Sequence, residues 1–189
     1  MKILKEMAPS ASLVRVQQTW VRLAACVFFM LPFQLQAAVI VMSTTIQSQV
    51  DGNTAGKAEA FKTTANAAGT ITSLSIYVDS SSTASKLVAG LYADANGHPG
   101  ALLEQGSSSS LTDGAWNTIA VPQFNLTQGT RYWIAILGTQ SGIAKFRDRK
   151  GGCSSETSSA TNLTTLPSSW TTGQIWDDCP VSGFGNSVP

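Results

Sequence analysis

Residues 86–103, KLVAGLYADANGHPGALL, read as strand, reversal, strand, and this stretch constrains the rest of the chain more than any other. Leu87, Ala89 and Leu91 alternate with Val88, Gly90 and Tyr92, and a period of two marks a strand with two distinct faces. Residues 94–100, DANGHPG, then turn the chain back: Asn-Gly tolerates positive φ and Pro-Gly fixes the exit. A chain built around such a hairpin needs further strands to cover its apolar face, because an isolated two-stranded hairpin is marginal in water.

The flanking sequence supplies them. Residues 39–50 read as a first strand and residues 51–56, DGNTAG, as a turn cluster. Residues 57–64 set Lys57, Glu59 and Lys62 among Ala58, Ala60 and Phe61, too short a run before the next turn for a helix, so a strand is expected. In residues 70–79, Leu74, Ile76 and Val78 share one face and Ser73, Ser75, Tyr77 and Asp79 the other. Residues 116–121 give another strand, which Pro122 is expected to end. Residues 131–137, RYWIAIL, are apolar on both faces, so this strand should be central, covered by the opposite sheet on one side and by a loop on the other. Residues 143–147 continue the pattern. Residues 151–174 read as a long Ser/Thr/Gly loop, residues 175–178 as a brief pairing, and the tail to residue 189 as a segment that frays or leads to a further domain. Eight or nine short strands, no convincing long helix and a turn every ~8–12 residues predict an all-β fold, an antiparallel β-sandwich with jelly-roll topology.

Residues 1–38 read differently. Lys2, Lys5, Arg15 and Arg22 against Glu6 precede the apolar run 23–31, and Ala37-Ala38 ends the segment in small residues. This is the order of a secretory signal peptide, cleaved after Ala37 or Ala38. A retained anchor is the competing reading, although the apolar run falls short of the ~20 residues of a membrane span. Leu23-Ala24-Ala25-Cys26 has the look of a lipoprotein box, but the apolar run follows Cys26 instead of preceding it. The division expected is therefore a signal peptide over 1–38 and a single β-sandwich domain over 39–189. The mature domain keeps Cys153 and Cys179, an even pair that in an exported protein is expected to form a disulfide closing the C-terminal loop 153–179. A zinc site would need more ligands than two cysteines and one distant histidine.

Only 12% of the residues are charged and the net charge is +1, against a usual charged fraction of ~25%. Such a chain offers no electrostatic footprint for nucleic acid. Its catalytic vocabulary is also thin. His98, the one histidine, lies in the hairpin turn; no Gly-x-Ser-x-Gly elbow, phosphate-binding glycine loop or His-Glu-x-x-His is present. Asp94-Ala95-Asn96-Gly97 looks like the first half of a calcium loop but lacks the downstream Glu, so an Asx-type turn is expected there. No cofactor and no metal ligand are predicted; structural calcium held by carbonyls with Asp79 or Asp51 is the metal reading left open. Asp177-Asp178 could be a glycosidase pair, but neighbours on a strand point to opposite faces.

The segment with the most binding chemistry is the C-terminal third. Arg147, Asp148 and Arg149 precede Cys153, and Trp170, Trp176 and Asp177 precede Cys179, so the disulfide should bring the two groups together. Indole faces beside Arg and Asp suit sugar rings. The competing packing reading has Trp170 and Trp176 plugging the end of the sandwich and Arg147 pairing with Asp148 or Asp177.

The phrases Ala58-Glu59-Ala60-Phe61, Leu74-Ser75-Ile76-Tyr77-Val78, Gly90-Leu91-Tyr92-Ala93-Asp94 with Gly97-His98-Pro99-Gly100, and residues 129–137 occur in an order that resembles non-catalytic β-sandwich modules of bacterial exported and surface proteins. The choice-of-anchor modules and some carbohydrate-binding-like modules are of this kind. The resemblance covers residues 57–148; it implies fold and an exported location, and carries over no binding residue. The expected function is an exported, non-catalytic module, secreted, periplasmic or at the cell surface, that binds a glycan or a cell-surface polymer, with no membrane contact after signal cleavage. A structural spacer of a larger exported protein is the second reading, and a small secreted hydrolase the third.

Overall fold

The computed structural model describes residues 39–42 and 44–187, so the signal peptide reading of residues 1–38 lies outside the described residues. The described residues form twelve strands and no helix: β1 (Val39–Met42), β2 (Gln49–Thr54), β3 (Ala58–Thr64), β4 (Gly69–Val78), β5 (Lys86–Ala95), β6 (His98–Ser108), β7 (Ala115–Leu126), β8 (Arg131–Thr139), β9 (Ile143–Asp148), β10 (Lys150–Ser158), β11 (Thr172–Asp178) and β12 (Gly183–Ser187). All pairings are antiparallel. The eight strands β2 to β9 lie in the orders β2-β9-β4-β7 and β3-β8-β5-β6, the two-sheet arrangement of a jelly roll. Four strands are added to that frame. β10 and β11 extend the second sheet beyond β3, and β12 lies between β1 and β4 in the first.

The hairpin is built as its sequence dictates. Ala95 pairs with His98, and the two residues between them, Asn96 and Gly97, have φ of 54° and 91°, the mirror-image turn that matches strand twist. Pro99 and Gly100 therefore belong to β6 and not to the turn.

Alternation sorts the side chains into two apolar layers. Tyr132, Ile134 and Ile136 of β8, Leu87, Ala89 and Leu91 of β5 and Phe61 of β3 face the other sheet, where Ile71, Leu74, Ile76, Ile119 and Phe146 meet them. Trp133, Ala135 and Leu137 of β8, with Val88 and Tyr92 of β5 and Ala58 and Ala60 of β3, face outward and are covered by Leu166 and Trp170. β8 is thus central and apolar on both faces, as its composition requires, and the cover is the ordered segment 159–171. That segment is fastened by backbone bonds from Leu102 to Ser168 and from Trp170 to Gly100. Gln105 bonds both backbone groups of Leu166, and the Tyr92 hydroxyl donates to the Pro167 carbonyl at 2.7 Å.

Several expectations are corrected. The described residues form twelve strands, not eight or nine. Residues 51–54 are not a turn: Asp51 to Thr54 pair residue by residue with Phe146 to Ile143. Pro122 does not end β7, which runs to Leu126. β7 pairs only with β4, and the register between them slips at Ile71/Ser73, opposite the stretch that contains Pro122; a strand with one partner and a bulge has a place where no backbone N–H is required. The expected loop 151–174 contains most of β10, and the tail, expected to fray, supplies β12.

Cys153 and Cys179 form the disulfide, with Cα atoms 4.8 Å apart. It links β10 to the residue after β11 and packs on the inter-sheet core.

Candidate functional site

The two lateral edges of the sandwich are finished differently. At one, β6 and β7 close on each other: a Cβ on Gly106 would lie 1.8 Å from the Ala120 carbonyl oxygen, so only glycine permits the approach. At the other, β2 and β9 face β10 and β11, and the inward positions stop being apolar. Phe61 and Phe146 meet edge to face with centroids 5.5 Å apart. Two residues beyond Phe61 on the same face comes Glu59, and two beyond Phe146 comes Asp148. Directly opposite residues share a face, so Asp51 points inward with Phe146, Thr157 with Glu59, and Trp176 with Ser155 and Phe61. Asp178 follows Trp176 by one period. The result is an acidic cleft between the sheets, open along the edge.

Two cavities occupy it. One of about 250 Å³ is lined by Asp51, Gly52, Asn53, Lys57, Glu59, Thr157, Trp176 and Asp178. Another of about 150 Å³ is lined by Gln49, Val50, Asp51, Asp148, Lys150 and Asp178. The carboxylates of Asp51, Asp148 and Asp178 all lie within 4.8 Å of one another. A pair of charges at that spacing repels by ~3–4 kcal/mol at an effective dielectric constant of ~20. Burial is the main cause that pushes Asp148 up to about 7, and Asp51, Asp178 and Glu59 add to it. Burial also pushes Glu59 up to about 7, against hydrogen bonds that favour its charged form: Asn53 Nδ2 donates to one oxygen and Ser155 Oγ to the other, each at 2.7 Å. Asp51 is raised by burial, partly offset by the Gly52 amide.

The sequence-predicted site residues scatter. Asp148 and Trp176 reach the cleft, Asp148 buried at its base and Trp176 44% exposed at its mouth. Arg147 points away, its Nε donating to Asp79 Oδ2 at 2.5 Å, and so pairs with neither Asp148 nor Asp177. Arg149 and Asp177 are exposed, and alternation turns Asp177 away from Trp176 and Asp178. Trp170 is a correction: it is 8% exposed, stacked edge to face on Tyr92 with centroids 5.2 Å apart beneath the covering segment, and has no open indole face. It plugs the outer face of a sheet, not the sandwich end.

Asn53 was missed because residues 51–56 read as a turn, Asp51 entered only in the calcium reading left open, and Glu59 was read as a charged position in the strand 57–64. A signal was present: an acid at Glu59 in the same period as Phe61 places a carboxylate where a core side chain belongs.

The remaining chemistry is committed elsewhere. Asp94 accepts the Gly97 amide at 3.1 Å and the Trp133 indole N–H at 2.9 Å, so it serves the hairpin turn. His98 is not alone: its Nδ1 lies 2.7 Å from Oε1 of the buried Glu156, whose other oxygen accepts the Thr172 hydroxyl. No described nucleophile hydrogen-bonds its Nε2. No helix of the described residues is long and apolar enough to cross a membrane. No protein-family model matches this chain, and no curated protein matches it in sequence.

Proposed function

We propose that the domain is an exported, non-catalytic binding module that takes a glycan or cell-surface polymer in the cleft between β2 and β11. The observation that carries this reading is Trp176, whose indole is 44% exposed beside the 250 Å³ cavity. A sugar ring presents an apolar C–H face to an indole and hydroxyls to surrounding polar groups. Asp51, Asn53, Lys57 and Asp178 supply donors and acceptors around the indole. The volume lies below the ~300–1,000 Å³ of pockets that enclose a drug-sized molecule, a size suited to one ring or a chain end. The disulfide supports the exported location, since such bonds persist in oxidising compartments.

A hydrolase reading draws on the carboxyls held near neutrality, because general acids are tuned into that range. Asp148 and Glu59 are each only 2% exposed, however, and a proton donor must come within hydrogen-bond reach of the bond it cleaves. Binding without cleavage is therefore the reading favoured.

The test is a glycan array probed with wild type and Trp176→Ala. Retention of a defined glycan by wild type, lost in Trp176→Ala, supports the reading. No retention leaves the spacer reading in its place, and release of reducing sugar from a retained glycan replaces it with the hydrolase.

A further inference from the structure

The acidic end of the cleft holds more negative charge than the chain itself compensates. Asp51, Asp148 and Asp178 come from three strands of two sheets, and no described Lys or Arg is within ion-pair distance of any of them. Lys57 and Lys150 line the two cavities without pairing to these groups. Half-exposed acids such as Asp51 and Asp178 are common on surfaces, but Asp148 is different. It is 2% exposed, it is directed at the other two, and the only hydrogen bond to its carboxylate comes from its own amide. A buried carboxylate that no other residue's donor or cation reaches is costly, and one aimed at two others defines a place for a positive ligand.

We propose that Asp51, Asp148 and Asp178 hold a calcium ion that clasps the two sheets together at their open edge. The donor set is all oxygen, with no His or Cys, which selects a hard cation over zinc. The three carboxylates lie within 4.8 Å of one another, a span that a single ion can bridge. Three carboxylates from three strands favour calcium, because magnesium keeps several waters and takes only one or two carboxylates. The smaller cavity, of about 150 Å³, leaves space for the waters that complete a coordination shell of ~6–8 oxygens.

This inference does not rest on sugar binding, and its probe is metal alone. The purified protein, stripped with EDTA, is titrated with calcium and with magnesium by calorimetry and thermal unfolding, and with terbium by luminescence excited through tryptophan. One calcium per chain is expected, with an affinity at or tighter than the ~10⁻⁴–10⁻³ M of extracellular calcium modules, a higher Tm, and a tenfold or weaker response to magnesium. Terbium emission should appear, be displaced by calcium, and fall sharply in Trp176→Phe while calcium affinity stays. Asp178→Asn and Asp51→Asn, both at the half-exposed rim and therefore mild to the fold, should each weaken calcium at least tenfold with unchanged circular dichroism. No calcium heat or Tm shift up to about 10 mM, an order above that range, overturns the proposal. So does unchanged affinity in both rim variants, and magnesium binding as tightly as calcium removes the assignment to calcium.

Discussion

Trp170 is buried against Tyr92 beneath the segment 159–171, whereas Trp176 keeps its indole half in solvent at the mouth of the cleft. Truncating them should therefore give opposite outcomes. Trp170→Ala removes a large buried side chain and is expected to cost ~3–5 kcal/mol by urea denaturation. Trp176→Ala should stay within ~0.5 kcal/mol of wild type and lose ligand instead. A similar contrast holds among the acids. Asp79 accepts the Ser81 hydroxyl and amide and then the Arg147 guanidinium, which together hold it at about 2. A carboxyl lowered by folding stabilises above its unfolded value near 4 and loses that contribution as pH falls through its folded value. Asp79→Asn should be less stable than wild type at pH 5–7, with the difference closing as pH drops from about 4 towards 2; a pH-independent difference in thermal unfolding would refute this. The residue types for such sites were legible, since Trp176 and Asp148 stood out in the sequence. Their partners were not, because Asp51, Asn53 and Glu59 lie about a hundred positions earlier and only cross-sheet packing makes them neighbours.

At the level of elements, the glycine at 106 is as specific as any side chain. It allows β6 to touch β7 backbone to backbone, and an added methyl would meet a carbonyl that cannot rotate away. Gly106→Ala is expected to cost about 1–3 kcal/mol, the usual range for overpacking, read as a lowered Tm. An unchanged Tm would mean that the two edges are not in contact. Strands with strong alternation, β4, β5 and β8, were readable because each carries its own face pattern. β10 and β12 were not: they are rich in Ser, Thr and Gly, and they become strands only because β3 and β4 offer them a ladder. A polar segment that pairs with a partner remote in sequence leaves no local signal.

For the molecule as a whole, the disulfide is the one covalent restraint described, with a sequence separation of 26. The chain-entropy model assigns a loop of that length ~3.5 kcal/mol, so Cys153→Ser with Cys179→Ser should lose about that much in urea denaturation, and an unaltered midpoint would show that the bond restrains nothing. The paired cysteines, the low charge and the repeated period of two were enough to specify a cross-linked all-β domain, because cysteine count and strand alternation are properties of composition and local order. The jelly-roll strand order agrees with that reading. The strand count and the position of the site do not follow from it. Which edge closes and which opens depends on two sheets meeting face to face: a missing Cβ at 106 lets one side shut, and inward carboxylates at 51, 59, 148 and 178 keep the other from packing dry. Those contacts join residues far apart in the chain, and so only the folded molecule could decide them.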